Sequence, residues 1–489
     1  MSLRRNSIMG TVQSIHEKLR SELSTYIKTQ YIGKNNLLLN ALSEKLDEQG
    51  VLWQQPFVEL PASYKQAEGG IKGVELPKWL INFLFALSQK RLGVFKAPFS
   101  HQVEALEKAY EGRDLFVSTG TGSGKTECFM WPLITKIVGE AKNTPQAWNG
   151  SRGVRAIVMY PMNALVADQI SRLRRIIGKE DFESIFKKFA GVESRRPQFG
   201  MYTGRTPYAG KEPKDTHDKD LADSLRRFLL ASDDGIFEQL DNEGKIPAKH
   251  NLDGFIQCLR RNEHMTSPKD AELVTRFEMQ KTCPDILITN YSMLELMLLR
   301  RQEESIWNST KRWLNESKEN KLLFIMDEAH MYRGASGGEV ALLLRRLFHK
   351  LGIVRERVQF ILTTASMPKD TTDDELSIKV FAQHLTAAES DSFHYVYGSI
   401  VEESKRSTKT LSLDCLLKWD NDAPLQSINE IFGKYTNPFP EISIAQEWLY
   451  ENLKEFDVFG MINEKCRGSA TSALEIAESL NVEFLRIQL

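Results

Sequence analysis

Apolar residues fall three or four apart at Ile8, Val12, Ile15, Leu19, Leu23 and Ile27. That spacing predicts an amphipathic helix over residues 8–30, with its stripe packed against the rest of the protein. A second helical stretch covers Leu37 to Leu46, after which Pro56, Pro61, Gly69, Gly70 and Gly73 interrupt regular structure and mark a boundary. Residues 1–90 are expected to form a helical N-terminal accessory region. From about residue 91 to 400, short apolar runs alternate with helical periods, as a parallel sheet covered by helices on both faces requires. Leu115–Ser118, Ala156–Tyr160, Ile286–Thr289, Leu322–Met326 and Phe360–Thr363 are the expected buried strands of this α/β fold. The charge-dense stretch between Arg205 and Cys283 is too long for an ordinary connection and predicts an insertion at about 206–282. Residues 401–489 turn polar and then helical, and Ser472-Ala-Leu-Glu475 matches a capping box.

Each expected strand ends at a motif, and ligands of open α/β sheets bind at the carboxyl ends of strands. Asp114-Leu-Phe-Val-Ser-Thr-Gly-Thr-Gly-Ser-Gly-Lys-Thr-Glu127 runs from strand through a glycine-rich turn into a helix. Backbone N–H groups of Thr121, Gly122, Ser123 and Gly124 would converge on a triphosphate at the helix N-terminus. Lys125 would neutralise the β- and γ-phosphates, and the Thr126 hydroxyl would bind Mg²⁺. The strict G-x-x-x-x-G-K-[ST] pattern fails only at its first position, Thr119. Leu322-Leu-Phe-Ile-Met-Asp-Glu-Ala-His330 is a buried strand ending in two carboxylates and a histidine. Asp327 suits the Mg²⁺-holding role, Glu328 suits orienting or deprotonating the attacking water, and His330 could respond to the γ-phosphate. ATP and Mg²⁺ are the cofactors these motifs predict.

Composition narrows the partners. The 489 residues carry a formal net charge of -1, so nucleic acid cannot be held by a bulk basic excess and any contact must be local. Five cysteines without paired spacing suggest neither a zinc site nor a disulfide framework. The N-terminus lacks an apolar h-region, and no apolar run approaches membrane-spanning length. The expectation is a soluble cytoplasmic protein without a membrane partner.

Taken together, the motifs resemble those of superfamily 2 DExH/DEAH-box helicases, over roughly residues 95 to 400. The resemblance is strongest to the Lhr-related bacterial group found in genome-defence systems, through Met331-Tyr-Arg-Gly-Ala-Ser-Gly-Gly-Glu339 and the helix that follows. It implies a RecA-like P-loop NTPase lobe. Phe99-Ser-His-Gln102 resembles the element whose glutamine reads the adenine edge, which assigns that role to Gln102. Tyr160-Pro-Met-Asn163, Tyr202-Thr-Gly-Arg205 and Asp285-Ile-Leu-Ile-Thr-Asn-Tyr-Ser-Met293 resemble strand-contacting motifs. They make Asn163, Thr203, Arg205, Thr289 and Asn290 candidate contacts to a sugar-phosphate backbone, although Pro161, Thr289 and Asn290 could equally terminate strands or cap helices. Thr364-Ala-Ser366 resembles the hydroxyl motif that couples hydrolysis to strand movement, which implicates Thr364 and Ser366.

The family's second lobe supplies arginines that reach the γ-phosphate, and nothing between residue 367 and Leu489 matches it. The implied protein is the first lobe of an ATP-dependent helicase or translocase, with DNA favoured over RNA. Alone it should hydrolyse ATP weakly or not at all; a second RecA-like lobe in cis or in trans, and a defence-system protein, are its implied partners, with residues 401–489 a helical linker toward the missing lobe. The alternative is a non-motor switch that binds nucleic acid or a partner when ATP is present, or one half of a split motor.

Overall fold

The computed structural model describes residues 12–31, 36–54, 57–60, 63–120, 122–207, 217–230, 236–261, 263, 266–365, 372–389, 392–401, 409–411, 423–466, 470–472 and 475–476. Two units emerge, one from residues 1–63 with 401–489 and the other from Tyr64–Ile400. Residues 64–90 therefore group with the larger unit, and residues 401–489 group with 1–63.

In the smaller unit, α1 (Val12–Tyr31) and α2 (Asn36–Asp47) are helical as the periodicity predicts. The stripe on α1 is not packed as expected, because Ile15, Leu19 and Leu23 are all exposed. Strand β1 (Phe57–Val58) pairs antiparallel with Thr471–Ser472 from the far end of the chain. The capping box closes as predicted: Glu475 N–H donates to Ser472 Oγ (3.2 Å) and Ser472 N–H to Glu475 Oε2 (3.0 Å).

The larger unit is built on eight parallel strands. These are β2 (Asp114–Ser118), β3 (Ala156–Tyr160), β4 (Phe199–Tyr202), β5 (Glu272–Leu273), β6 (Ile286–Asn290), β7 (Leu322–Met326), β8 (Val358–Thr364) and β9 (Phe393–Tyr397), in the order β5-β4-β6-β3-β7-β8-β2-β9. All five strands expected from the sequence are present, and β4, β5 and β9 join them. Alternation sends Leu115, Val117, Ala156, Val158, Leu323 and Ile325 to one face. There they meet α3 (Lys78–Gln89), α4 (Ser100–Tyr110), α5 (Glu127–Asn143), α7 (Asn163–Ile176) and α8 (Glu180–Ala190), with α6 (Pro145–Gly150) adding Trp148. Phe116, Ile157, Met159, Phe324 and Met326 turn to the other face. That face is covered by α13 (Tyr291–Leu299), α14 (Glu304–Glu316), α15 (Gly334–Leu351) and α16 (Thr372–Thr386). Each fully buried side chain of this size contributes roughly 1.5–3 kcal/mol, so the central strands are the most firmly fixed part of the lobe.

The expected insertion is only partly separate. Helices α9 (His217–Leu230), α10 (Ile236–Asn242) and α11 (Leu252–Arg260) surround a small core of their own, including Leu225, Phe255 and Leu259. The chain then returns to the sheet through β5 and α12 (Arg276–Lys281), and Arg174 on α7 clasps Glu272 through two 2.7 Å bonds. At the amino end of β6, buried Asp285 takes two 2.7 Å bonds from Arg195 and lies 3.3 Å from Arg155. Burial alone would raise its carboxyl, but the arginines override it and hold it down at about 2.

Candidate functional site

Strand β2 delivers the chain into a turn in which Gly122 and Gly124 have φ of +75° and +73°, values that favour glycine. A Cβ on Gly124 would also lie 2.2 Å from Gln102 Nε2. Ser123 is buried, and its Oγ donates to Thr119 Oγ1 (2.7 Å), which ties the turn back to the end of β2. Thr126 immediately precedes α5 without a side-chain capping bond, so the turn opens onto a helix N-terminus. Thr121 lies outside the described residues.

Across the strand ends, β7 stops at Met326 and presents Asp327. Its Oδ1 accepts from Thr363 Oγ1 and from Glu328 N–H (2.9 Å). Burial raises the Asp327 carboxyl above its ordinary range. Glu328 sits in the left-handed region at φ 51°, a strained conformation for a non-glycine residue.

Although β8 separates β2 from β7 in the sheet, the two motifs meet above it. Lys125 Nζ is 3.6 Å from Glu328 Oε1, and both side chains are mostly shielded from water. Glu328 Oε2 is 3.3 Å from His330 Nδ1, which is 3.2 Å from Thr364 Oγ1. Thr364 C=O accepts from Thr119 N–H (3.2 Å) and closes the circuit back to the glycine turn. Lys125, Glu328, His330 and Thr364 thus form one connected group, while Ser366 lies outside the described residues.

Among the described residues, no cluster of three His, Cys, Asp or Glu side chains could hold a metal by itself. One buried carboxylate beside a phosphate-type turn instead fits Mg²⁺, which binds through one or two carboxylates, phosphate oxygens and retained water. Thr126 and Asp327 are the side chains that would hold it, and the bare backbone at Gly122, with open space where a Cβ would stand, suits close approach of phosphates.

Several expected contacts are placed differently. Gln102 is buried, and both ends of its amide are engaged: Oε1 accepts from Phe99 N–H (2.9 Å), and Nε2 donates to Gly124 C=O (3.1 Å). These bonds brace the glycine turn, and they use one of the two N–H donors and one of the two oxygen lone pairs of the amide. Thr289 is buried with its hydroxyl donating to Tyr202 C=O (2.7 Å), and buried Thr203 Oγ1 accepts from Arg205 N–H (3.2 Å). Neither threonine side chain is open to a strand. Asn290 caps α13 by accepting from Met293 N–H (2.8 Å), and its Nδ2 donates to Asn163 Oδ1 (2.6 Å). Arg205 is exposed, while Asn163 and Asn290 are half-buried.

The sequence argument missed Thr363 and His101. Thr363 bonds the metal-type carboxylate from the neighbouring strand, a role visible only once β8 is known to lie beside β7. His101 places Nε2 2.9 Å from Ser123 C=O, and burial lowers its pKa. Its place beside Gln102 was the available signal.

A parallel sheet whose strand ends bring a glycine-rich phosphate turn and an acidic pair together defines a RecA-like P-loop NTPase lobe. Residues 99–208 and 249–374 match the DEAD/DEAH box helicase family, so the chain carries a helicase domain of that kind. The break in the match falls on the α9 and α10 segment of the insertion. The chain is 34% identical to Druantia protein DruE of Escherichia coli (strain UMEA 4076-1), covering 97% of this chain and 27% of that protein. It is 23% identical to the ATP-dependent RNA helicase glh-1 of Caenorhabditis elegans, over 55% of this chain and 35% of the relative. Among solved structures, the DUF1998 helicase MrfA bound to DNA aligns with TM-score 0.38 and 18% identity, over 75% of this chain and 33% of that one. The chain therefore spans about a quarter to a third of these relatives. No helix among the described residues is long and apolar enough to cross a membrane.

Proposed function

We propose that this chain is the first motor lobe of an ATP-driven helicase or translocase, working on nucleic acid together with a second RecA-like lobe in cis or in trans. The observation that carries this reading is the approach of Lys125 to Glu328 at 3.6 Å, which puts the phosphate turn and the acidic pair at one site. Lys125 and the N-terminus of α5 bind the triphosphate, and Thr126 and Asp327 hold Mg²⁺, which supplies charge neutralisation at the phosphates. Glu328 orients the attacking water, and His330 passes the state of the site to Thr364 along the bonded path described above. Asn163, Asn290 and Arg205 face the strand, whereas Thr203 and Thr289 support those loops from within. The preference for DNA and the anti-phage setting belong to the same proposal; they rest on the Lhr-type resemblance and, for the setting, on the relation to Druantia protein DruE.

The test is ATP hydrolysis by the full-length protein with and without single-stranded DNA or RNA. Stimulation by a strand, lost in Lys125→Ala, is expected. No stimulation, or a Lys125→Ala variant with the full rate, would refute the motor. Strand binding that tightens with ATP but never turns it over would replace the motor by a switch.

A further inference from the structure

Parallel register sets a transverse row of side chains near the carboxyl ends of four neighbouring strands. Ile325 pairs with Ile361, Met159 with Met326 and Tyr160 with Asn290. One level further along β8 and β7, Thr363, Asp327, Tyr160 and Asn290 therefore stand side by side. All four turn toward the α5 and α7 face, because Ile361, Ile325, Val158 and Ile288, two residues earlier in each strand, belong to that core.

Three members of this row have partners. Thr363 bonds Asp327, and Asn290 bonds Asn163. Tyr160 stands between them, wholly buried, with a hydroxyl that has no hydrogen-bond partner. A buried hydroxyl left unmade is costly unless something arrives to meet it. Both hydrogen bonds described for Asp327 fall on Oδ1. A tyrosine phenol ordinarily titrates at about pH 10, so the hydroxyl is a donor at neutral pH.

We infer that Tyr160 is a positioning residue for the metal-holding carboxylate: in the nucleotide-loaded site its hydroxyl donates to Asp327, opposite the donor from Thr363. This rests on the reading of Asp327 as the Mg²⁺-holding residue. Tyr160 leads through Pro161 and Met162 directly to Asn163, so the ring that orients the carboxylate also anchors the start of the strand-facing loop. Nucleotide-free protein keeps the hydroxyl waiting; the loaded site uses it.

The experiment titrates Mg²⁺ against a fluorescent ATP analogue bound to the full-length protein, comparing wild type, Tyr160→Phe and Asp327→Asn. Losing a hydrogen bond to a charged group should raise the half-saturating Mg²⁺ of Tyr160→Phe about tenfold. Its metal-free nucleotide affinity should stay at the wild-type value. Its melting temperature without ligand should not fall, because the deleted oxygen has no partner there. A wild-type Mg²⁺ requirement in Tyr160→Phe, with Asp327→Asn impaired, would overturn the role of Tyr160 alone. An unimpaired Asp327→Asn would instead remove the reading of Asp327. A Tyr160→Phe protein that melts lower or does not fold would show that the hydroxyl is already bonded in the free state, and that too would overturn the inference.

Discussion

Replacing Glu328 by glutamine should separate the two tasks of the site, because it keeps the shape of the side chain and removes its charge. Glu328 Oε1 lies 3.6 Å from Lys125 Nζ. At an effective dielectric of about 20, two unit charges at that distance attract by about 5 kcal/mol. The side chains are 12% and 25% exposed, so returning water offsets most of this, and a net value of about 1 kcal/mol is the appropriate scale. An arriving triphosphate has to draw Lys125 away from Glu328 and also meets the repulsion of that carboxylate. Glu328→Gln should therefore bind ATP about fivefold more tightly, since 1.4 kcal/mol is a factor of ten. Hydrolysis should fall by about 10² to 10⁴, the usual contribution of a positioned general base. Fluorescent-nucleotide titration of the full-length protein measures the first effect, and phosphate release at saturating ATP with single-stranded DNA measures the second. Binding that weakens in step with hydrolysis would refute the account of a competing Lys125–Glu328 pair, and an unchanged hydrolysis rate would refute the base.

The remaining predictions concern positions whose expected roles the geometry alters or defines. Gln102→Ala should weaken ATP and GTP binding to the same degree, because the amide braces the glycine turn; a selective loss of ATP over GTP in competition binding would restore base reading. Asp285→Asn should cost about 3–5 kcal/mol in urea unfolding at pH 7 by leaving buried arginines without their partner. Because the Asp285 carboxyl is held at about 2, below its ordinary 3.8, its contribution is fully present above about pH 4 and is lost as pH falls toward 2. A wild-type acid-unfolding curve identical in that window to that of Asp285→Asn would contradict the assignment.

The central sheet was legible because β2, β3, β6, β7 and β8 each contain a short uninterrupted apolar run that leads into a motif. The two strands at one margin and the single strand at the other were not. β4 is four residues long and contains Gly200, where a Cβ would meet Met279 Sδ at 2.4 Å, and β5 is only Glu272–Leu273, with its charge answered by Arg174. β9 reads Phe-His-Tyr-Val-Tyr and keeps three of its five side chains only partly covered. The contiguous motifs around Lys125 and Asp327 were legible for the same local reason, since a few adjacent residues carry the whole pattern. What spacing could not say is which hydroxyls and amides are already engaged. Thr289 looks open in sequence but is turned inward onto Tyr202, and Gln102 is bonded to Gly124, facts that depend on strands and loops brought together from far apart.

The placement of β9 bears on how this lobe can be cut. The family match stops at residue 374, yet β9, at Phe393–Tyr397, pairs along the whole outer side of β2. A fragment trimmed at the homology limit would turn the strand that feeds the phosphate turn into a bare, apolar margin, ready to recruit other chains. Loss of solubility in such a fragment would then reflect a missing neighbour of the nucleotide site, and extending it past Tyr397 is the remedy.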